Sequence, residues 1–336
     1  MTSIGLTIVG DTLDNFVRYV RQADEMGVEK IGMGDSQSLY HEMWVRTTLA
    51  AVNTQHAGVG TWCTNPLTRH PAVMASAAAS IDELTGGRAF LGIGPGDSAV
   101  YNIGYQPAKL ETLEAYINTV RALLEKGEST WKGREAHLSW ARGQIPIGLP
   151  ASGPKALRMA GRLADVVWVN TGIDPEPVAQ AYELLEQGAK EAGRTLDDIE
   201  VWWVALPNIG ESYEAAVDEL KFALASYAHI IFRFTLEGKA VPEHLSEKVR
   251  QLCDGYQSRF HVTPGGVNPN AQLVDQLGLT DYLAGRLALV GTPEQCIQRI
   301  QEVRKYGVER LWFPVRFADK GPVMNGLQQV MAGLDK

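Results

Sequence analysis

Short apolar runs alternate with segments whose apolar residues recur three and four positions apart, and the alternation holds almost from the first residue. Residues 3–9 (SIGLTIV) form a strand-like run. Residues 12–27 follow with Phe16, Val20, Ala23 and Met26 near helical spacing and Gly27 as a stop. The pattern predicts further strands over 29–35 (EKIGMGD), 57–63 (AGVGTWC), 88–94 (RAFLGIG), 145–151 (IPIGLPA), 165–170 (DVVWVN), 199–210 (IEVWWVALPNIG) and 309–315 (ERLWFPV). It predicts helices from about Trp44, and over 70–87, 110–127, 153–164, 174–193, 212–228 and 292–307. Pro71 suits the start of its helix and the paired glycines Gly86 and Gly87 suit the end.

Regular β-α alternation implies parallel strands, because each return needs a crossover. Eight such units predict an α/β chain folded as one closed (β/α)8 TIM barrel over residues 1–336. A doubly wound open sheet is the competing architecture, but the turn after the first strand (IVGDTLDNF) lacks the dinucleotide glycine spacing. The surplus length falls over about 232–286, before the last strand. It holds VPEHL, FHVTPGGVNPN and LGLTDYLAG, richer in Pro, Gly and Asn and weaker in period, and reads as an insertion. It is either a lid over the C-terminal face of the barrel or a peripheral helical excursion used for packing or oligomerisation.

Composition leaves this picture in place and narrows the partners. With 45% hydrophobic and 21% charged residues and a net charge of -8, the chain is ordinary for a soluble globular protein. No block of Lys and Arg marks a nucleic-acid or anionic-membrane surface, and no apolar run reaches transmembrane length. The opening residues lack the features of a cleaved signal peptide. Cys63, Cys253 and Cys296 are scattered and include no CxxC, so neither a disulfide framework nor a zinc site is expected; cytoplasmic localisation follows as the expectation.

In a barrel, chemistry gathers at the C-terminal strand ends. That rule selects Asp35 and Ser36, the segment Thr61, Trp62, Cys63 and Asn65, the turn Gly94, Gly96 and Asp97, then Ser152, Gly153, Pro154 and Lys155, Trp168 to Asn170, and Pro314 to Arg316. Ser152 and Gly153 precede a helix start at Pro154, where unpaired N–H groups and Lys155 would suit an anion; the simpler alternative is that Ser152 caps the helix. Trp62 and Trp168 could wall a planar ring or only pack. His41 and His70 stand isolated, no His pair has metal-ligand spacing, and GxSxG is absent, so no metal and no Ser-His-Asp hydrolysis are expected.

Four stretches in this order, TNPLTRHPAVMA, GGRAFLGIGPGD, GPKALRMAGRLAD and LVGTPEQCIQRI, resemble the bacterial luciferase-like superfamily of flavin and deazaflavin oxidoreductases, above all its methylenetetrahydromethanopterin reductase branch. The resemblance covers nearly the whole chain. It implies a tricyclic ring, of FMN or of the deazaflavin coenzyme F420, over the barrel mouth. The cofactor phosphate would lie near Ser152, Gly153, Pro154 and Lys155 and the Gly94–Gly96 turn, with Ser36, Thr61, Trp62, Cys63, Asn65, Asp97 and Trp168 around the ring. It implies a non-prolyl cis peptide at Thr61–Trp62, and Asp97, Asp35 or His41 as acid or proton relay. Three functions stay open: F420 hydride transfer to a small unsaturated or carbonyl substrate, a two-component reduced-FMN monooxygenase, and a non-catalytic flavin-binding barrel. Lacking a dinucleotide fingerprint, either enzyme would draw reduced cofactor from a separate NAD(P)H-dependent reductase. The resemblance also implies a homodimer.

Overall fold

The computed structural model describes residues 2–141, 143–257, 260 and 268–334. Eight parallel strands close a barrel, each followed by helical structure. The first half contains β1 (Ser3–Ile8), α1 (Leu13–Glu25), β2 (Lys30–Met33), α2 (Met43–Val52), β3 (Gly58–Thr64), α3 (Pro71–Thr85), β4 (Ala89–Ile93), α4 (Ser98–Tyr101) and α5 (Leu110–Lys126). A hairpin of β5 (Glu128–Trp131) and β6 (Arg134–His137) leads to β7 (Ile147–Ala151), α6 (Pro154–Leu163), β8 (Val166–Val169), α7 (Pro175–Glu191) and β9 (Glu200–Val204). Then come β10 (Leu206–Ile209), α8 (Tyr213–Phe232), α9 (Glu243–Gly255), α10 (Pro269–Gln276), α11 (Thr280–Leu287), β11 (Ala288–Gly291), α12 (Pro293–Arg304), β12 (Arg310–Val315) and α13 (Gly321–Leu334). Barrel order is β1, β2, β3, β4, β7, β8, β9, β12 and back to β1, so the eight strands predicted from periodicity are the eight that close. No helix among the described residues is long and apolar enough to cross a membrane.

Past Ala205, β10 continues from β9 but leaves the barrel and pairs in parallel with β11. Between them run α8 to α11; residues 261–267 of the FHVTPGGVNPN stretch lie outside the described residues. Arg286, 1% exposed, ties this region to the barrel by donating to Thr171 O at 2.8 Å, Ala240 O at 2.8 Å, Tyr282 Oη at 2.7 Å and Lys239 O.

Aromatic packing fills the barrel interior. The Trp312 ring lies 5.7 Å from Trp62 in a stacked pair and meets Trp168, Trp202 and Phe90 edge-on at 5.4, 5.4 and 6.0 Å. Its Nε1 donates to Thr7 Oγ1 at 3.0 Å. Rings this large fit because facing strands withdraw: a Cβ on Gly5 would collide with Trp312, and one on Gly148 with Trp168. The barrel is therefore plugged beneath its mouth, and any ligand must sit above the plug.

Helix ends follow local chemistry. His70 caps α3 by accepting from Ala72 N–H at 3.2 Å, which gives that isolated histidine a structural role, and Gly86 closes the helix in the left-handed region (φ 65°). Asp24, at the end of α1, accepts the N–H groups of Gln55, His56 and Ala57 at 2.8, 3.0 and 2.7 Å, fixing the approach to β3. Burial pushes the Asp24 carboxyl up, but the three N–H donors more than offset this and hold it below the ordinary value of 3.8. Its folded pKa is depressed, so its contribution is present above that ordinary value and lost as pH falls through the folded one. Asp24→Asn is expected to cost about 2 kcal/mol in urea unfolding at neutral pH; a variant as stable as the parent would show that the donors are satisfied otherwise.

Candidate active site

The strand ends β2, β3 and β4 are bound into one wall. Asp35, two residues past β2, accepts from Thr64 Oγ1 at 2.7 Å and Arg69 Nη1 at 2.6 Å. Arg69 Nη2 reaches Glu42 Oε1 at 2.6 Å, and Tyr116 Oη donates to the Arg69 carbonyl at 3.0 Å. Burial works against the Arg69 charge, but Asp35 and Glu42 outweigh it and hold the guanidinium above its ordinary value. Asp35 is thus an anchor whose Oδ2 serves only as acceptor in these contacts. Ser36 Oγ meets Ser98 Oγ at 2.7 Å, and Gln37 Nε2 donates to Ala99 O at 2.8 Å, joining the loop after β2 to α4.

At the end of β3 the non-prolyl cis peptide is Trp62–Cys63, one bond beyond the expected Thr61–Trp62. Thr61 is fully buried and donates to Gly92 O at 2.7 Å, so it stitches β3 to β4 instead of facing a ligand. Trp62 is partly exposed and stacks on Trp312, forming the top of the aromatic floor. Cys63 beside it is partly exposed, and its surroundings push the thiol well above its ordinary range, which keeps it protonated. Asn65 is 1% exposed and its Oδ1 accepts from the N–H groups of Leu67 and Thr68 at 3.0 Å each; this is a turn that uses up the carbonyl.

Beyond β4, a Cβ on Gly94 would stand 3.0 Å from Pro150 Cγ; Gly96 (φ 95°) turns the chain where a side chain would press on Val100. Asp97 follows with its side chain 45% exposed, its Oδ1 3.6 Å from Arg233 Nη2. Of the two candidate carboxylates, Asp97 is the one open to the mouth.

The start of α6 differs from a capped helix. Its N-cap is Gly153, without a side-chain cap bond, so Ser152 does not cap it; Pro154 occupies the first turn and Lys155 is exposed. Nothing lies within 4 Å of a Cβ built on Gly153. Next to it, at the end of β8, Asn170 Oδ1 and Thr171 Oγ1 are buried with no hydrogen-bond partner among the described residues. These orphaned atoms and the open helix end match an anion and its neighbouring hydroxyls. Trp168, by contrast, does not wall the mouth. It is fully buried in the plug, against Phe90 and Trp312. His41 is exposed in the loop before α2 and forms no hydrogen bond among the described residues.

Sequence reasoning missed the wall supplied by α8. Tyr227 lies beneath the Arg316 guanidinium, which is 5.5 Å from the ring centroid; burial pushes its hydroxyl up to about 12. Two turns on, Arg233 faces Asp97, so α8 passes over the mouth from the end of β12 to the end of β4. The i, i+4 pair His229 and Arg233 was the available signal, hidden inside an ordinary helical period. One hollow is lined by Asp14, Arg18 and Arg21 of α1 and another, at the opposite barrel end, by Thr2, Met26 and His56; none of the strand-end residues described above lines either. No group of three His, Cys, Asp or Glu residues among the described ones could hold a metal ion.

Comparison with known proteins agrees with this architecture. The family model described as luciferase-like monooxygenase matches residues 2–310. A 5,10-methylenetetrahydromethanopterin reductase of Methanolobus tindarius is 28% identical over 314 residues, covering 90% of this chain and 91% of that protein. The reductase of the same name from Methanopyrus kandleri is 28% identical over 334 residues, covering 92% and 91%. Among solved structures, the coenzyme F420-dependent tetrahydromethanopterin reductase of Methanopyrus kandleri superposes with a TM-score of 0.80 at 24% identity, covering 100% of this chain and 99% of that one. With a match spanning nearly every strand of the barrel, the chain belongs to the luciferase-like monooxygenase family.

Proposed function

We propose that this protein is an oxidoreductase that moves a hydride between coenzyme F420 and a small unsaturated or carbonyl substrate at the barrel mouth. The observation that carries this reading is the uncapped start of α6 beside the orphaned Asn170 and Thr171 oxygens, next to a glycine turn and above an aromatic floor. Its relatives at 28% identity are 5,10-methylenetetrahydromethanopterin reductases, and the superposed structure is that of a coenzyme F420-dependent reductase.

When bound, the deazaflavin supplies a ring carbon that donates or accepts hydride. The chain's own part is positioning, protection and proton handling. The N–H groups at Gly153 and Pro154's successors would hold the phosphate, with Ser152 Oγ beside them. Gly94 and Gly96 leave room for close approach. Trp62, backed by Trp312, seals the underside against water. Asp35 is committed to Arg69 and Thr64, which leaves Asp97 as the carboxylate available to hold or deliver a proton at the substrate heteroatom. Reduced cofactor would come from a separate NAD(P)H-dependent enzyme, and the α8–α11 region would act as a lid.

A reduced-FMN monooxygenase is the second reading, favoured by the description of the family model. Fluorescence titration with oxidised F420 and with FMN separates the two. Saturable F420 binding is expected, weakened at least tenfold in Ser152→Asp, because a carboxylate placed near a phosphate repels it by about 1 to 4 kcal/mol depending on screening. Tighter binding of FMN than of F420 would overturn the reading in favour of the second. Unchanged affinity in the variant would move the phosphate elsewhere.

A further inference from the structure

Arg286, buried near the end of α11, joins two backbone segments that are distant in sequence. Its Nε donates to Thr171 O at 2.8 Å, its Nη1 to Ala240 O at 2.8 Å and Tyr282 Oη at 2.7 Å, and its Nη2 to Lys239 O. All four acceptors are neutral. Burying a guanidinium against neutral partners is unfavourable, and an apolar side chain of similar volume would fill the same space with less desolvation. What the arginine adds is a planar fork of donors in fixed directions, able to hold several carbonyls in set positions at once.

Both segments border the start of α6. Asn170 N–H donates to Ala151 O at 3.3 Å, which sets the end of β8 beside the residues that open the helix. Asn170 Oδ1 and Thr171 Oγ1 are the buried oxygens without a partner among the described residues. The chain then turns at Gly172 (φ 114°), where a Cβ would stand 2.5 Å from Arg286 Cγ, and Ile173 N–H donates to Arg286 O at 2.8 Å. Residues 171–173 therefore wrap Arg286 through both its side chain and its backbone. In the other segment Gly238 (φ 64°) rests on Pro154 so closely that a Cβ there would collide with the ring. Ala240 holds φ 46°, a left-handed conformation that residues with a side chain rarely adopt, and its carbonyl is one of those Arg286 binds. One buried guanidinium thus links the end of β8, through Thr171, to the segment that covers Pro154.

We infer that Arg286 is a positioning residue for the cofactor phosphate, holding residues 170–173 and 238–240 in one fixed arrangement around the start of α6. This rests on the reading of that helix start as the phosphate site. Arg286 does not touch the anion in this scheme. It acts through Thr171, Lys239 and Ala240, and it serves the phosphate end of the site, not the ring above Trp62.

Fluorescence titration of the full-length protein with 5-deazariboflavin and with its 5′-phosphate, which differ in that group alone, tests it. The parent is expected to bind the phosphorylated form about tenfold more tightly or better. Arg286→Met should remove most of that preference while leaving affinity for the phosphate-free form within about twofold of the parent. Arg286→Lys, with a single ammonium in place of the fork, should fall between. Without ligand, amide hydrogen exchange in Arg286→Met should quicken over residues 171–173 and 238–240 and stay unchanged in β1 to β4. Parent-like binding of the phosphorylated form in Arg286→Met overturns the proposal, and so does an equal loss for both ligands, which marks a general packing defect. Lost preference with unchanged exchange also overturns it, since Arg286 would then be a direct ligand of the anion. If Arg286→Met fails to fold, Gly238→Ala decides. Its added methyl pushes residues 238–240 off Pro154 and should weaken only the phosphorylated form; full affinity for both forms, or equal loss of both, counts against the proposal. A parent that binds the two forms equally sinks the placement of the phosphate itself. A parent that prefers the phosphate, and keeps that preference in Arg286→Met, sinks the role of Arg286 alone.

Discussion

Trp312→Ala is expected to lower stability by about 4 kcal/mol and to abolish saturable cofactor binding. The ring is fully buried and touches four other aromatic side chains, so its removal takes contacts from all of them. The hole cannot close. Collapse would require neighbouring strands to move inward, and closed parallel pairing on both sides of β12 holds them at fixed spacing. Gly5, the residue facing the ring, has no side chain to offer. Trp62 stacks directly on Trp312, so the floor of the site would lose its support together with the core. Thr7 Oγ1 also loses its indole donor. Urea unfolding should show a lower midpoint with an unchanged slope. Trp312→Phe, which keeps most of the apolar area, should lose roughly half as much. A loss under about 1 kcal/mol for Trp312→Ala would mean that the plug rearranges, and that the floor is not a rigid platform.

The barrel was legible because its signal is one-dimensional. Buried parallel strands read as short continuous apolar runs, and the glycines and helix periods between them mark the crossovers. What failed to show depends on depth and on partners distant in sequence. Trp168 lies at a strand end, as read, yet its pleat points it inward against Gly148 and Phe90, and a strand-end rule gives position without depth. β5 and β6 are four residues each, too short for a period; their turn at Lys132 and Gly133, both at positive φ, was the only cue. β11 has strand composition but pairs with β10 outside the barrel, a choice set by where β10 departs at Ala205. At the site, the segments around Asp35, Ser152 and Asp97 were visible because glycines and polar residues interrupt apolar runs there. The Asp35–Arg69 pair spans 34 residues and the Arg233–Asp97 contact joins α8 to the end of β4, so both exist only after folding.

The Asp35–Arg69 pair carries the second large effect. Asp35→Ala is expected to cost about 3 kcal/mol, because a buried ion pair that loses one member leaves the other uncompensated. Asp35 is 5% exposed and Arg69 19%, so water can relieve only part of the cost. Glu42 remains as a partner for Nη2 but is 47% exposed, and Thr64 Oγ1 loses its acceptor. The same change unties the loop after β2 from the loop after β3, so weaker cofactor binding should accompany the loss of stability. Asp35→Asn separates the two contributions: it keeps an acceptor for Thr64 and removes the charge, and should fall between parent and Asp35→Ala. A double-mutant cycle with Arg69→Met measures the pair itself, and the double variant should be less destabilised than the sum of the singles by about 1 to 2 kcal/mol. Additive losses would show that Arg69 and Asp35 act separately, with the wall of the site held instead by Ser36, Ser98 and the Asn65 turn.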